Sequence, residues 1–156
     1  MEKTEIQNLI KELIQNTTVS VNEINIEEKS PKSVWFSVEV DQPHFFTSRG
    51  GEALTALNHL VRRIIETKIT PESPDGFDIL IDINGFQKKR IENIHTIAHM
   101  MAERSRYFKS SIEVEPMSAF DRRIVHEFLA EATDVKTEST GEGFSRRVVI
   151  KYIGNI

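Results

Sequence analysis

The spacing of apolar positions changes several times along the chain, and each change predicts an element. Ile6, Leu9, Ile10, Leu13 and Ile14 recur at helical spacing, so residues 5–14 predict a short amphipathic helix. In TVSVNEINI the apolar positions are Val19 and Val21, then Ile24 and Ile26. The slip near Glu23 predicts a strand that carries a bulge. After a Ser30-Pro31 turn, SVWFSVEV places Val34, Phe36, Val38 and Val40 on one face of a half-buried strand. Ala53, Leu54, Leu57, Leu60, Val61, Ile64 and Ile65 then form the stripe of a helix of about four turns. The turn-rich TPESPDG (residues 70–76) leads to FDILIDIN, a strand with Phe77, Ile79, Ile81 and Ile83 inward. A three-stranded sheet with helices on one face is the economical way to bury these stripes.

Asn84-Gly85 punctuates the chain. A long helix follows with Ile91, Ile94, Ala98, Met101 and Ser105 on its inner face, and SSIEVEP is a short strand. Ser118 stands three residues before Asp121, a capping box that opens the helix AFDRRIVHEFLAEA. DVKTES and FSRRVVIKY are two strands joined by TGEG as a hairpin.

Composition narrows the function classes. With 156 residues, the chain has room for one domain or two small ones. No apolar run approaches the roughly 18 residues of a membrane span. MEKTEIQNLIKELIQ lacks the apolar stretch of a secretion signal. A cytoplasmic protein without a membrane partner is therefore expected. The absence of cysteine excludes disulfides and cysteine-ligated zinc. The net charge of −4 is unevenly spread: residues 1–84 hold 8 Lys+Arg against 14 Asp+Glu, and residues 85–156 hold 12 against 10. The basic surface thus belongs to the second half, in KKR (88–90), ERSRYFK (103–109), DRR (121–123) and SRRVVIK (145–151).

Two stretches carry candidate chemistry. Ser48, Arg49, Gly50 and Gly51 precede the helix that begins near Ala53. Two glycines, a hydroxyl and a cation in front of unpartnered helix N–H groups suit a phosphate. They equally suit a helix start in which Ser48 or Gly51 is only the cap. Arg122 and His126 are one helical turn apart, on the flank of the stripe Ile124, Val125, Phe128, Leu129 and Ala132. A guanidinium fork beside an imidazole there can grip a phosphate. The alternative is a surface arginine beside a structural histidine.

The order helix–strand–strand–loop–helix–strand around SRGG resembles the bacterial-type KH domain, whose G-x-x-G loop clamps the backbone of unpaired nucleotides. Ser48 stands at the first glycine position of that loop, Gly51 at the second, and Arg49 and Gly50 are the variable pair. PMSAFDRRIVHEFLAE followed by TESTGEGFSRRVVI resembles the R-3-H domain, named for an arginine and a histidine at the spacing of Arg122 and His126. Together with IDINGFQKKR, the chain from about residue 15 to 152 resembles the KH plus R-3-H portion of the Jag family, the bacterial proteins associated with SpoIIIJ. The additional N-terminal domain and linker of many members are expected to be missing. The resemblance implies an α+β fold. On that resemblance a type II (bacterial) KH-like domain, α-β-β-α-α-β, over residues 1–84 is expected to pack against an R-3-H domain of α-β-α-β-β order over residues 85–156. It also implies an RNA regulator, in some relatives linked to cell elongation and division. The strand would be held by Ser48, Arg49, Gly50, Gly51, Arg122 and His126, with the hairpin arginines Arg146 and Arg147.

Other chemistries are poorly supplied. His95 and His99 have the spacing of a two-histidine metal site, but the intervening Thr96, Ile97 and Ala98 lack the glutamate of zinc proteases. Asp78 and Asp82 share a strand face but stand about 13 Å apart, so they are expected to be solvated edge charges and not a catalytic dyad. Ser48 has no nucleophile elbow around it, and the clustered carboxylates of a metal-dependent nuclease are missing. Trp35, Phe45 and Phe46 could stack on bases, although Phe45 and Phe46 are expected to pack the first helix turn. The expectation is a non-enzymatic binder of single-stranded RNA, or of single-stranded DNA, without metal or cofactor. Its rival is a protein-interaction module on a KH-like scaffold, favoured by the acidic first half and the serine in the loop.

Overall fold

The computed structural model describes residues 1–68 and 78–154. The TPESPDG connection and Phe77 lie outside the described residues. Among the described residues the fold is mixed α and β, with two small sheets and four helices: α1 (Lys3–Gln15), β1 (Val21–Ser30), β2 (Ser33–Val40), α2 (His44–Lys68), β3 (Asp78–Ile83), α3 (Phe86–Phe108), β4 (Ile112–Glu113), α4 (Ala119–Leu129), β5 (Val135–Thr140) and β6 (Arg147–Tyr152). They divide into two compact units, Met1–Lys88 and Lys89–Ile156. No helix among the described residues is long and apolar enough to cross a membrane.

The first unit is a sheet of order β1-β2-β3, antiparallel between β1 and β2 and parallel between β2 and β3. A parallel pair needs a crossover, and α2 lies in that connection. Alternation in β2 puts Val34, Phe36, Val38 and Val40 on the buried face. Against them pack Ile6, Ile10 and Ile14 of α1 and Leu54, Leu57, Val61 and Ile65 of α2. The slip read near Glu23 is a real irregularity, since the register shifts between Val21 and Glu23. Leu60 departs from expectation at 46% exposure, because it flanks the stripe that Leu54, Leu57, Val61 and Ile65 centre on the sheet. The exposed edge of β3 is closed by Asn58, whose Oδ1 accepts from Ile81 N–H at 2.8 Å while its Nδ2 donates to Ile81 O at 3.0 Å.

Asp82 also corrects the sequence reading. It is 3% exposed, not a solvated edge charge. Its Oδ1 accepts from Gln87 N–H at 2.8 Å and its Oδ2 from Lys88 N–H at 3.2 Å, so it caps the N-terminus of α3. Asp78 remains half-exposed and faces Arg62.

The second unit is an antiparallel sheet of order β4-β6-β5. Ile94, Ala98 and Ala102 of α3, Val125 and Leu129 of α4, and Val114, Val135, Val148 and Ile150 form its core. Ser118 Oγ accepts from Asp121 N–H at 3.2 Å as the N-cap of α4. The Asp121 carboxylate is taken by Arg90, with bonds of 3.0 Å from Nε and 2.8 Å from Nη2. The last strand begins later than FSRRVVIKY suggested. Gly143–Ser145 is a turn of 3-10 helix, and β6 starts only at Arg147. Positive φ at Gly141 (90°) and Gly143 (55°) turns the chain there, and Ser145 Oγ fastens it by donating to Glu142 O at 2.8 Å.

Candidate nucleic-acid interface

The backbone of α2 leaves helical φ and ψ at SRGG. Ser48 is extended (φ −64°, ψ 161°), and Arg49, Gly50 and Gly51 all have positive φ, at 52°, 68° and 81°. Three consecutive left-handed residues form a protruding loop between the turn at His44–Thr47 and the long remainder of the helix. Only glycine takes such angles freely, which explains two of the three residues. The two glycines have different surroundings. A Cβ on Gly50 would meet nothing within 4 Å, whereas a Cβ on Gly51 would lie 2.5 Å from Phe86 Cε1. Gly51 is buried under a ring, and Ser48, Arg49 and Gly50 are exposed. Phe46 belongs to the core at 5% exposure, while Phe45 is 51% exposed and stacks on His44 with ring centroids 4.7 Å apart. Trp35 is half-buried, with Lys29 Nζ 5.0 Å from its ring centre.

In the second unit, hydrogen bonds anchor three of the predicted site residues, Arg122, His126 and Arg146. Arg122 Nη1 donates to Met117 O at 2.8 Å, and Met117 N–H donates to Arg146 O at 3.2 Å. Arg146 Nε donates to Ser139 Oγ at 3.1 Å. His126 Nδ1 lies 2.7 Å from Thr137 Oγ1, which leaves Nε2 as the ring nitrogen able to face a ligand. Thr137 and Ser139 are two apart on β5 and pair with the core residues Ile150 and Val148, so both sit on the sheet face covered by α4.

Arg147 is set apart from these three. It alternates with Val148 along β6 and therefore points to the other face of the sheet, where its Nη1 bonds Glu113 Oε2 at 3.2 Å. Arg90, Arg106 and Arg123 are likewise held by carboxylates: Asp121, Asp134 with Glu103, and Glu127. Among the described residues no ion pair joins Arg122 or Arg146 to a carboxylate. Their charges remain available for an anion.

Beside Arg122, a groove of about 520 Å³ is walled by Met117, Ser118, Ala119, Gly143 and Phe144. Sequence reasoning missed Phe144 because it assigned that residue to the strand. In the 3-10 turn it stands fully exposed at the hairpin tip. Met117, Thr137 and Ser139 were missed because each contributes a hydrogen bond from outside the segment that carries its partner. His95 stacks on Phe128 at 4.6 Å, and no three His, Asp or Glu side chains converge as a metal site among the described residues.

Residues 92–152 match the R-3-H domain family, so the second unit carries an R-3-H domain, as the Arg122–His126 motif indicated. The chain is also similar to proteins named RNA-binding protein KhpB. It is 27% identical to that of Clostridium symbiosum over 82% of this chain and 56% of the relative. For the Bacillus subtilis protein the identity is 25%, over 92% and 68% respectively. For the Streptococcus pneumoniae protein it is 23%, over 94% and 43%. The chain thus spans little more than half the length of the first of these relatives.

Proposed function

We propose that this chain is a non-enzymatic, single-stranded RNA-binding protein. In this reading residues 1–84 form a type II KH-like domain and residues 85–156 an R-3-H domain. Arg122, His126 and Arg146 hold backbone phosphates, while Ser48, Arg49, Gly50 and Gly51 approach the same kind of strand with small residues. Arg147, paired with Glu113 on the other sheet face, contributes less. The observation that carries the reading is the gathering of Arg122, His126 and Arg146 around Met117, Thr137 and Ser139, with both guanidiniums clear of carboxylates. A guanidinium not already neutralised offers a fork of donors that matches phosphate oxygens. Support for the first domain comes from the mixed β1-β2-β3 sheet and the break in α2 at Ser48–Gly51. The names of the KhpB relatives point to the same ligand.

Counterion release makes the reading testable. Affinity for single-stranded RNA should fall by roughly 0.7 log units per log unit of salt for each phosphate contacted. The Arg122→Ala/His126→Ala double variant should bind more weakly and with a shallower salt slope. Unchanged affinity in that variant removes the second domain from the interface.

The acidic first half favours a second reading, a protein-interaction module, since a net −6 over residues 1–84 repels phosphate. Gel shifts with single-stranded RNA, single-stranded DNA and duplex separate the two. Retention of none of them at low salt supports the module.

A further inference from the structure

We propose that Phe144 is a stacking platform for one unpaired base, set into the groove beside Arg122. The proposal rests on the RNA-binding reading above and adds the side chain through which the R-3-H unit meets a base.

Phe144 is fully exposed, although an apolar ring gains by burial and the chain around it is well fixed. Ser145 N–H and Oγ both bond Glu142 O, at 3.1 and 2.8 Å, and Arg146 N–H bonds Gly143 O at 3.3 Å. A Cβ on Gly141 would lie 3.2 Å from Ser145 O. The turn is therefore tightly constrained, and the ring is held out from a rigid support.

The surroundings select the occupant. Gly143, Ser118 and Ala119 leave room beside the ring, Met117 gives the groove an apolar wall, and Arg122 borders it. Arg146, next but one to Phe144, keeps its guanidinium clear of carboxylates by bonding Ser139. An aromatic face with cations within a few residues is complementary to a flat, apolar base attached to a phosphate. A protein partner needs roughly 800 Å² per side, which one ring and a small groove do not supply. A duplex has no free base face to offer, because its bases already stack on each other. The R-3-H unit thus distinguishes single strands from duplexes through Phe144, and Arg122 and Arg146 hold either backbone.

The test uses the full chain in fluorescence-anisotropy titrations with a short single-stranded RNA of mixed sequence and with the same sequence as a duplex. Phe144→Ala should weaken single-strand binding by about 5- to 150-fold, the usual loss for one stacked base. It should leave duplex binding and the salt slope unaltered, because no charge is removed. Phe144→Trp, made in a Trp35→Phe background so that the introduced indole is the one tryptophan, should bind the single strand as wild type does and show quenched emission on binding. Arg122→Ala separates the two levels of the reading. If Arg122→Ala weakens binding and Phe144→Ala does not, phosphate capture stands and the stacking proposal is overturned. If wild type binds neither RNA, both fall. Emission of the introduced tryptophan that shifts with anionic phosphatidylglycerol vesicles but not with RNA overturns the proposal in favour of a membrane-facing tip.

Discussion

Placing a methyl group on Gly51 tests whether the α2 loop is shaped by its own glycines or by Phe86. Gly51 has φ of 81°, and an added Cβ would stand 2.5 Å from Phe86 Cε1, well inside contact distance. Left-handed backbone costs an alanine about 1–2 kcal/mol. Forcing a methyl against a packed ring adds about 1–3 kcal/mol. Gly51→Ala should therefore destabilise the first unit by about 2–5 kcal/mol, the sum of the two terms. Gly50→Ala, at φ 68° with nothing within 4 Å of the new atom, should cost only the backbone part, about 1–2 kcal/mol. Urea unfolding followed by the emission of Trp35, the single tryptophan, reports this unit. The decisive measurement is a double-mutant cycle with Phe86→Ala. Without the ring, Gly51→Ala should cost no more than Gly50→Ala, giving a coupling of about 1–3 kcal/mol between the two positions. Equal losses from Gly51→Ala with and without Phe86 would refute the packing argument. RNA binding should rank the glycines the other way. Gly50 is the one whose open face a strand could approach, so Gly50→Ala should weaken binding beyond its effect on stability.

Asp82→Ala leaves two backbone N–H groups of α3 without their acceptor and should lower stability by about 1–3 kcal/mol, with Asp82→Asn milder. A urea midpoint unchanged in Asp82→Ala means that the cap is dispensable. Arg146→Ala should reduce the salt slope of RNA binding by about 0.7 for the lost phosphate contact. Arg147→Ala should reduce it less, because Glu113 already neutralises that guanidinium. Equal slopes for the two variants contradict the assignment of sheet faces. A hydrogen bond from the Arg106 guanidinium holds the Asp134 carboxyl below its ordinary range. A carboxyl depressed in the folded state adds stability that is present above its unfolded value, about 3.9, and lost as pH falls toward the folded value. Asp134→Asn should accordingly flatten the fall of stability in acid below about pH 4, seen as a smaller difference between urea midpoints measured at neutral and acid pH. An identical acid dependence in the variant excludes the pair as its source.

Much of the fold could be read from periodicity alone. The helical spacing of Ile6, Ile10 and Ile14, the alternation of Val34, Phe36, Val38 and Val40, and even the slip at Glu23 appear in the structure where their pattern puts them. A side chain's distance from its neighbours along one helix or strand is set by local geometry, so burial on one side writes itself into the order of residues. The Arg122–His126 spacing was legible for the same reason: four residues make one turn.

Pairings across elements were not legible. Asp82 looks like a solvated charge on its own strand, and its partners exist only once the next helix begins over it. Arg146 and Arg147 are adjacent and identical in sequence, yet one joins the hydroxyl of Ser139 and the other the carboxylate of Glu113, because β6 starts between them and sends them to different sides. Phe144 reads as a strand residue until the hairpin closes in a 3-10 turn and leaves the ring outside. Hydrophobic period is a property of one segment. Which charge is neutralised, which carboxylate is buried and which ring stays in water depend on what another segment brings within a few ångströms, and only the closed fold decides that.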